Sequence, residues 1–149
     1  MDNFTNEINR TAELFKQGFS CTQAVFAGFG ERYHLDRDIA LKLGRGFGAG
    51  MGLGLTCGAV IGAGLVLGFA GGGVEENDRR ARYECYDAIR DFVSRFEARY
   101  GTIRCNDLLG VDMSTEEGRK EAQEKNLFAA VCSEIVQNSA RILAELIRP

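Results

Sequence analysis

Between Gly46 and Val74 the chain carries no Asp, Glu, Lys, Arg or His, and 12 of those 29 residues are glycine. Few folds accommodate such a run. It is long enough to cross hydrocarbon, and glycine at 46, 50, 54, 58 and 62 repeats the four-residue spacing of a membrane dimerisation face. The densely apolar part, however, covers only residues 59–70, and no aromatic belt flanks the run. The stretch therefore reads as a buried central helix preceded by a glycine-rich loop, with no stable membrane span. Glycine occupies every second position from 44 to 54, and each would destabilise a helix by roughly 0.5–1 kcal/mol relative to alanine. That segment is the loop.

Helix is the reading for the remainder, because the only proline is Pro149 and no alternating β-branched run is bounded by turns. A first helix is expected from near Asp2, with Phe4, Ile8, Ala12 and Phe15 on one stripe, ending at Gly18. Ser20 and Gln23 form a capping box for a second, which puts Cys21 at its first position. Asp36 caps a third through Ile39, Ala40 and Leu43. Thr56 is expected to cap a fourth that begins at Cys57, with Gly58 and Gly62 allowing a neighbour to approach closely. A long amphipathic helix follows from about Asp78 to Gly101, with Tyr86, Ile89, Phe92, Val93, Phe96 and Tyr100 turned inward. Ser114 and Glu117 make a second capping box for an exposed helix, and a last helix carries Cys132 and the apolar stripe from Ile135 to Ile147. The expectation is one all-α domain over residues 1–149, a compact multi-helix bundle around the uncharged Gly/Ala-rich helix, which should be its most buried element.

A formal charge of −3 is too small to point to nucleic acid as a partner. The first residues lack the basic start and apolar run of a secretory signal, so a reducing cytoplasm is expected. Structural disulfides are rare there, and five cysteines then mean packing, metal ligation or thiol chemistry. A single cysteine is most simply a packing residue. Four of these stand at element ends, though, which shifts the balance toward one shared site. Cys21 and Cys57 each follow a hydroxyl residue at a helix start, where the peptide dipoles favour a thiolate. Cys105 lies in a glycine-bounded connector and Cys132 near the start of the last helix, unless that helix begins at Leu127. Cys85, in mid-helix beside Ile89 and Phe92, is read as packing.

The order Cys21, then Cys57-Gly58-Ala59-Val60-Ile61-Gly62, then Cys105, then Cys132 resembles the redox-active family named for its C, GCAxxG, C, C pattern. The resemblance covers nearly the whole chain, from Phe19-Ser20-Cys21 through the glycine loop to the Cys105 turn, with the motif in a CGAxxG form. It implies a small domain with four signature cysteines in a redox role, similar to a domain of split-Soret cytochromes for which an iron–sulfur centre is proposed. The chain has no Cys-x-x-Cys-His and a single histidine, His34, which gives no support for covalent haem. Ser133 stands where family members often have proline.

Three redox chemistries compete for the four cysteines. An iron–sulfur cluster for electron transfer is favoured, since four thiolates are its usual ligands and the loop and helix-start amides at Gly48, Gly50, Gly52 and Gly58 would stabilise its negative charge. No two ligands lie close together in sequence, so spacing adds little. A thiol–disulfide relay with Cys57 as nucleophile is the alternative. Zinc comes third, for want of a closely spaced cysteine pair. From another class, the loop and the helix after Thr56 would cradle an anion or small molecule, although no Gly-Lys-Ser/Thr ends the loop. A redox partner is implied without being named, and a homo-oligomer is left open.

Overall fold

The computed structural model describes residues 4–147. They form eight α-helices and no strand: α1 (Thr5–Lys16), α2 (Cys21–Gly30), α3 (Arg37–Gly44), α4 (Gly58–Ala70), α5 (Arg79–Tyr100), α6 (Cys105–Leu109), α7 (Glu116–Glu124) and α8 (Ser133–Leu146). The all-α expectation holds. The expected start near Asp2 lies outside the described residues, as does Pro149.

Two uncharged helices cross at the centre, α2 and α4. All of α2 is buried except Cys21 and Gln23, so it surpasses α4 as the most enclosed element, contrary to the expectation. The reason is that α2 is covered on successive sides by α1, α3 and α4. Their contact depends on small residues: a Cβ added at Gly62 would stand 3.0 Å from the Thr22 carbonyl oxygen and from Val25 Cβ, and one at Gly28 only 2.1 Å from Thr11 Oγ1 on α1. Around this crossing pack the fully enclosed rings of Phe4, Phe26, Phe29, Phe92 and Phe96, each contributing about 1.5–3 kcal/mol on burial. Arg95 bonds Glu145 at 2.9 Å, and Arg99 and Tyr100 both bond Glu134, which ties α5 to α8.

Several local readings hold and several shift. Ser20 and Gln23 do form the reciprocal capping box, and Asp36 accepts from the Ile39 amide. The N-cap of α4 is Cys57 rather than Thr56, because the Thr56 backbone is drawn into an antiparallel bridge with Arg104. Thr115, not Ser114, caps α7, since the Ser114 hydroxyl donates to Asp112 instead. Tyr86 points to solvent at 48% exposure; only Phe92 and Phe96 of the expected inward set on α5 are fully buried.

The glycine segment is a loop built from a tight turn at Arg45–Phe47 and a wider one at Gly50–Gly54. Four consecutive residues, Ala49 to Met51 and then Gly52, have left-handed backbone with φ of 51°, 59°, 63° and 70°. Such a conformation costs a residue with a Cβ roughly 1–2 kcal/mol, so Ala49 and Met51 hold strain that the surrounding packing must offset. Among the described residues no helix is long and apolar enough to cross a membrane.

Candidate functional site

A chain of specific contacts brings the four signature cysteines together. The Cys57 amide donates to the Ile103 carbonyl at 2.7 Å, and the Cys105 amide to the Leu55 carbonyl at 2.6 Å. This short ladder sets the start of α4 beside the start of α6. Thr22 Oγ1 donates to the Gly58 carbonyl at 3.0 Å, which fixes the start of α2 against the same helix. Cys132 arrives from the other end of the sequence, inside a wide helical turn at Phe128–Cys132 that runs directly into α8. The last helix thus begins at Leu127 and Cys132 is not at its N-terminus. Such π-type turns within α-helices recur at functional positions.

Cys21, Cys57, Cys105 and Cys132 all line one cavity of about 1110 Å³, and Cys85 does not. All five are free thiols. Of the loop and helix-start glycines, Gly48 and Gly58 line the cavity, while Gly50 and Gly52 do not. Gly48 is needed for space, because a Cβ there would lie 2.7 Å from Ser20 Cβ. Gly54 plays a similar part: a Cβ would overlap the Asn106 side chain at 1.9 Å, beside Cys105.

The electrostatics differ from the helix-start expectation. Burial pushes the Cys57 thiol up from 9.0 to about 11, although the nearby amides of Ala59 and Val60 pull the other way without forming a full cap hydrogen bond. Burial likewise pushes Cys105 to about 12, with the neighbouring Cys57 and Cys132 adding to it. Desolvation therefore outweighs the helix dipole at Cys57. Cys21 and Cys132 are a coupled thiol pair: the interaction with Cys132 is the main cause that raises Cys21, and the interaction with Cys21 is the main cause that lowers Cys132, where burial opposes it. The first proton leaves the pair more easily than the second.

The raised thiols of Cys57 and Cys105 carry a pH prediction. An acid whose folded pKa lies above its unfolded value stabilises the fold fully below the unfolded pKa and loses that contribution as pH rises through the folded one. Stability of the reduced protein is expected to fall between about pH 9 and pH 11–12. Urea titrations across that window should show a shallower fall in Cys57→Ala and Cys105→Ala, and an unchanged slope in both would contradict the assignment.

Four thiols match the donor number of an iron–sulfur cluster. Among the described residues, however, no three Cys, His, Asp or Glu side chains are gathered so as to hold a metal ion. As placed, the cysteines are one coupled pair, Cys21 and Cys132, with Cys57 and Cys105 lining the same cavity, not a closed ligand set.

Sequence reasoning missed Lys16 and Arg45, which line the cavity, and it missed the left-handed turn that sets Ala49 into its wall. Two cations 29 positions apart carry no local signal. A family model described as "Putative redox-active protein (C_GCAxxG_C_C)" matches residues 19–146, a span that contains all four lining cysteines. No curated protein and no solved structure matches the chain.

Proposed function

Since the chain belongs to the C_GCAxxG_C_C family of redox-active proteins, we propose that its cavity cysteines are the redox centre and that Cys21 and Cys132 are its exchanging pair. The observations that carry this reading are the placement of Cys21 and Cys132 together on the cavity lining and the coupling between them, which lowers the Cys132 thiol and raises that of Cys21. The thiolate is the nucleophile in disulfide exchange. Cys132 attacks one sulfur of an incoming disulfide, its S–S bond breaks, and one thiolate leaves. Cys21 then loses its proton to solvent and attacks Cys132 Sγ of the mixed disulfide, releasing the second thiolate. Both leaving groups are protonated, so one substrate disulfide becomes two thiols as two cysteine thiols become one disulfide. Cys57 and Cys105, held protonated by burial, are reserve thiols on the same wall.

A second reading is an iron–sulfur cluster held by Cys21, Cys57, Cys105 and Cys132, favoured by the convergence of all four on one cavity. One experiment separates the two. Anaerobic protein is incubated with iron and sulfide, and iron, acid-labile sulfide and the electron paramagnetic resonance signal of the reduced form are measured, in wild type and in Cys57→Ser. The exchange reading expects no stoichiometric iron and a Cys21–Cys132 disulfide at a defined potential against glutathione. Stoichiometric iron that is lost in Cys57→Ser would replace it with the cluster.

A further inference from the structure

The cavity holds far more than four sulfurs require. Pockets for small ligands span about 300–1,000 Å³, and this one reaches about 1110 Å³. The attacking thiol is set in a concavity, with Cys132 only 8% exposed, so a disulfide on a convex protein surface would not reach it as a small molecule would. The cavity's charged rim is lopsided. Lys16 and Arg45 are solvent-exposed and line the cavity, and neither makes an ion pair with any described residue. The one carboxylate on the lining is Glu13, so two cations outnumber a single anion there. An excess of positive charge lining a concave site attracts and orients anions. Asn9 and Gln137 add amide groups to the lining.

From this we infer that the redox cavity takes a low-molecular-weight disulfide bearing carboxylates, with Lys16 and Arg45 selecting it by charge. The inference rests on the thiol-exchange reading above. In one exchange the anionic disulfide is reduced to two thiols while Cys21 and Cys132 are oxidised to a disulfide, and the two protons leave with the product thiols.

The test measures rates at which three disulfides oxidise the fully reduced, full-length protein: glutathione disulfide (anionic), hydroxyethyl disulfide (neutral) and cystamine (cationic). Each rate is divided by the rate of the same disulfide with mercaptoethanol, which removes intrinsic reactivity. At low ionic strength the normalised rate for glutathione disulfide is expected to exceed that for cystamine by about tenfold or more, and the preference should shrink as salt is added. Lys16→Glu combined with Arg45→Glu should invert the order. Arg80→Glu combined with Arg82→Glu, on the solvent side of α5, should not. Equal normalised rates for the anionic and cationic probes, or a preference untouched by the Lys16/Arg45 reversal, would overturn the inference and leave the exchange reading standing. Failure of all three disulfides to oxidise Cys21 and Cys132 would remove the exchange reading and this inference with it.

Discussion

In Cys132→Ser, two-electron cycling of the site is expected to vanish: mass spectrometry of alkylated protein should find no internal disulfide after exposure to excess oxidised glutathione, whereas Cys85→Ser should cycle like wild type. The coupling between the two thiols lowers Cys132 and raises Cys21. Serine at 132 removes the nucleophile and leaves Cys21, which is half-buried, without its partner sulfur. Cys21→Ala gives a graded version of the same experiment. Without that neighbour, Cys132 keeps only the burial that raises it, so its alkylation profile should move to higher pH and its rate at neutral pH should drop by about tenfold, the order of one interaction with a charged group. Because Cys85 lies on α5 and does not line the cavity, its replacement tests whether a thiol outside the cavity matters. A disulfide that persists in Cys132→Ser, between Cys21 and either Cys57 or Cys105, would show that the exchanging pair has been misassigned.

Gly58→Val is expected to produce a large loss of stability at the α2–α4 contact beside the site. A Cβ at position 58 would stand 2.6 Å from Thr22 Oγ1, 3.1 Å from the Thr22 amide and 3.2 Å from Cys21 Cβ. The hydroxyl could move, but moving it breaks its bond to the Gly58 carbonyl; the amide belongs to α2 and can move only with the helix. Overpacking of this kind costs about 1–3 kcal/mol. The lost hydrogen bond adds about 1 kcal/mol. Together these should lower the melting temperature by about 10 °C for a chain of this length. Because the same displacement carries Cys21 away from Cys57 and Cys132, the redox potential of the surviving folded protein should shift as well. A melting temperature within about 2 °C of wild type would mean the α2–α4 contact is looser than drawn.

What the sequence made legible was local. Alternating glycines named the loop, the Ser20–Gln23 and Asp36 caps set two helix starts, and element-end placement singled out four cysteines from five. Failures arose where a distant residue decided the outcome. Thr56 had the chemistry of a cap but paired instead with Arg104, 48 positions away. At Cys57 the helix dipole was readable, yet the burial that overrides it comes from elements across the fold. Ile39 and Leu43, spaced like core residues on α3, are 52% and 55% exposed, because α3 covers α2 with its other face. Nothing in the residues Ala49 and Met51 announces a positive φ; glycine neighbours hinted at unusual backbone without saying which residues would bear the strain.

The contact between Cys21 and Cys132 joins positions 111 residues apart, and this gives the proposed exchange a consequence beyond electron bookkeeping. A covalent link closing about a hundred residues restricts the disordered chain by about 4–5 kcal/mol in the loop-entropy account. Oxidation of that pair would therefore clamp most of the polypeptide into a ring, and reduction would release it. A protein whose native state stands only about 5–15 kcal/mol below the disordered one would become markedly harder to unfold when oxidised, so that resistance to a protease would report the redox state of its surroundings.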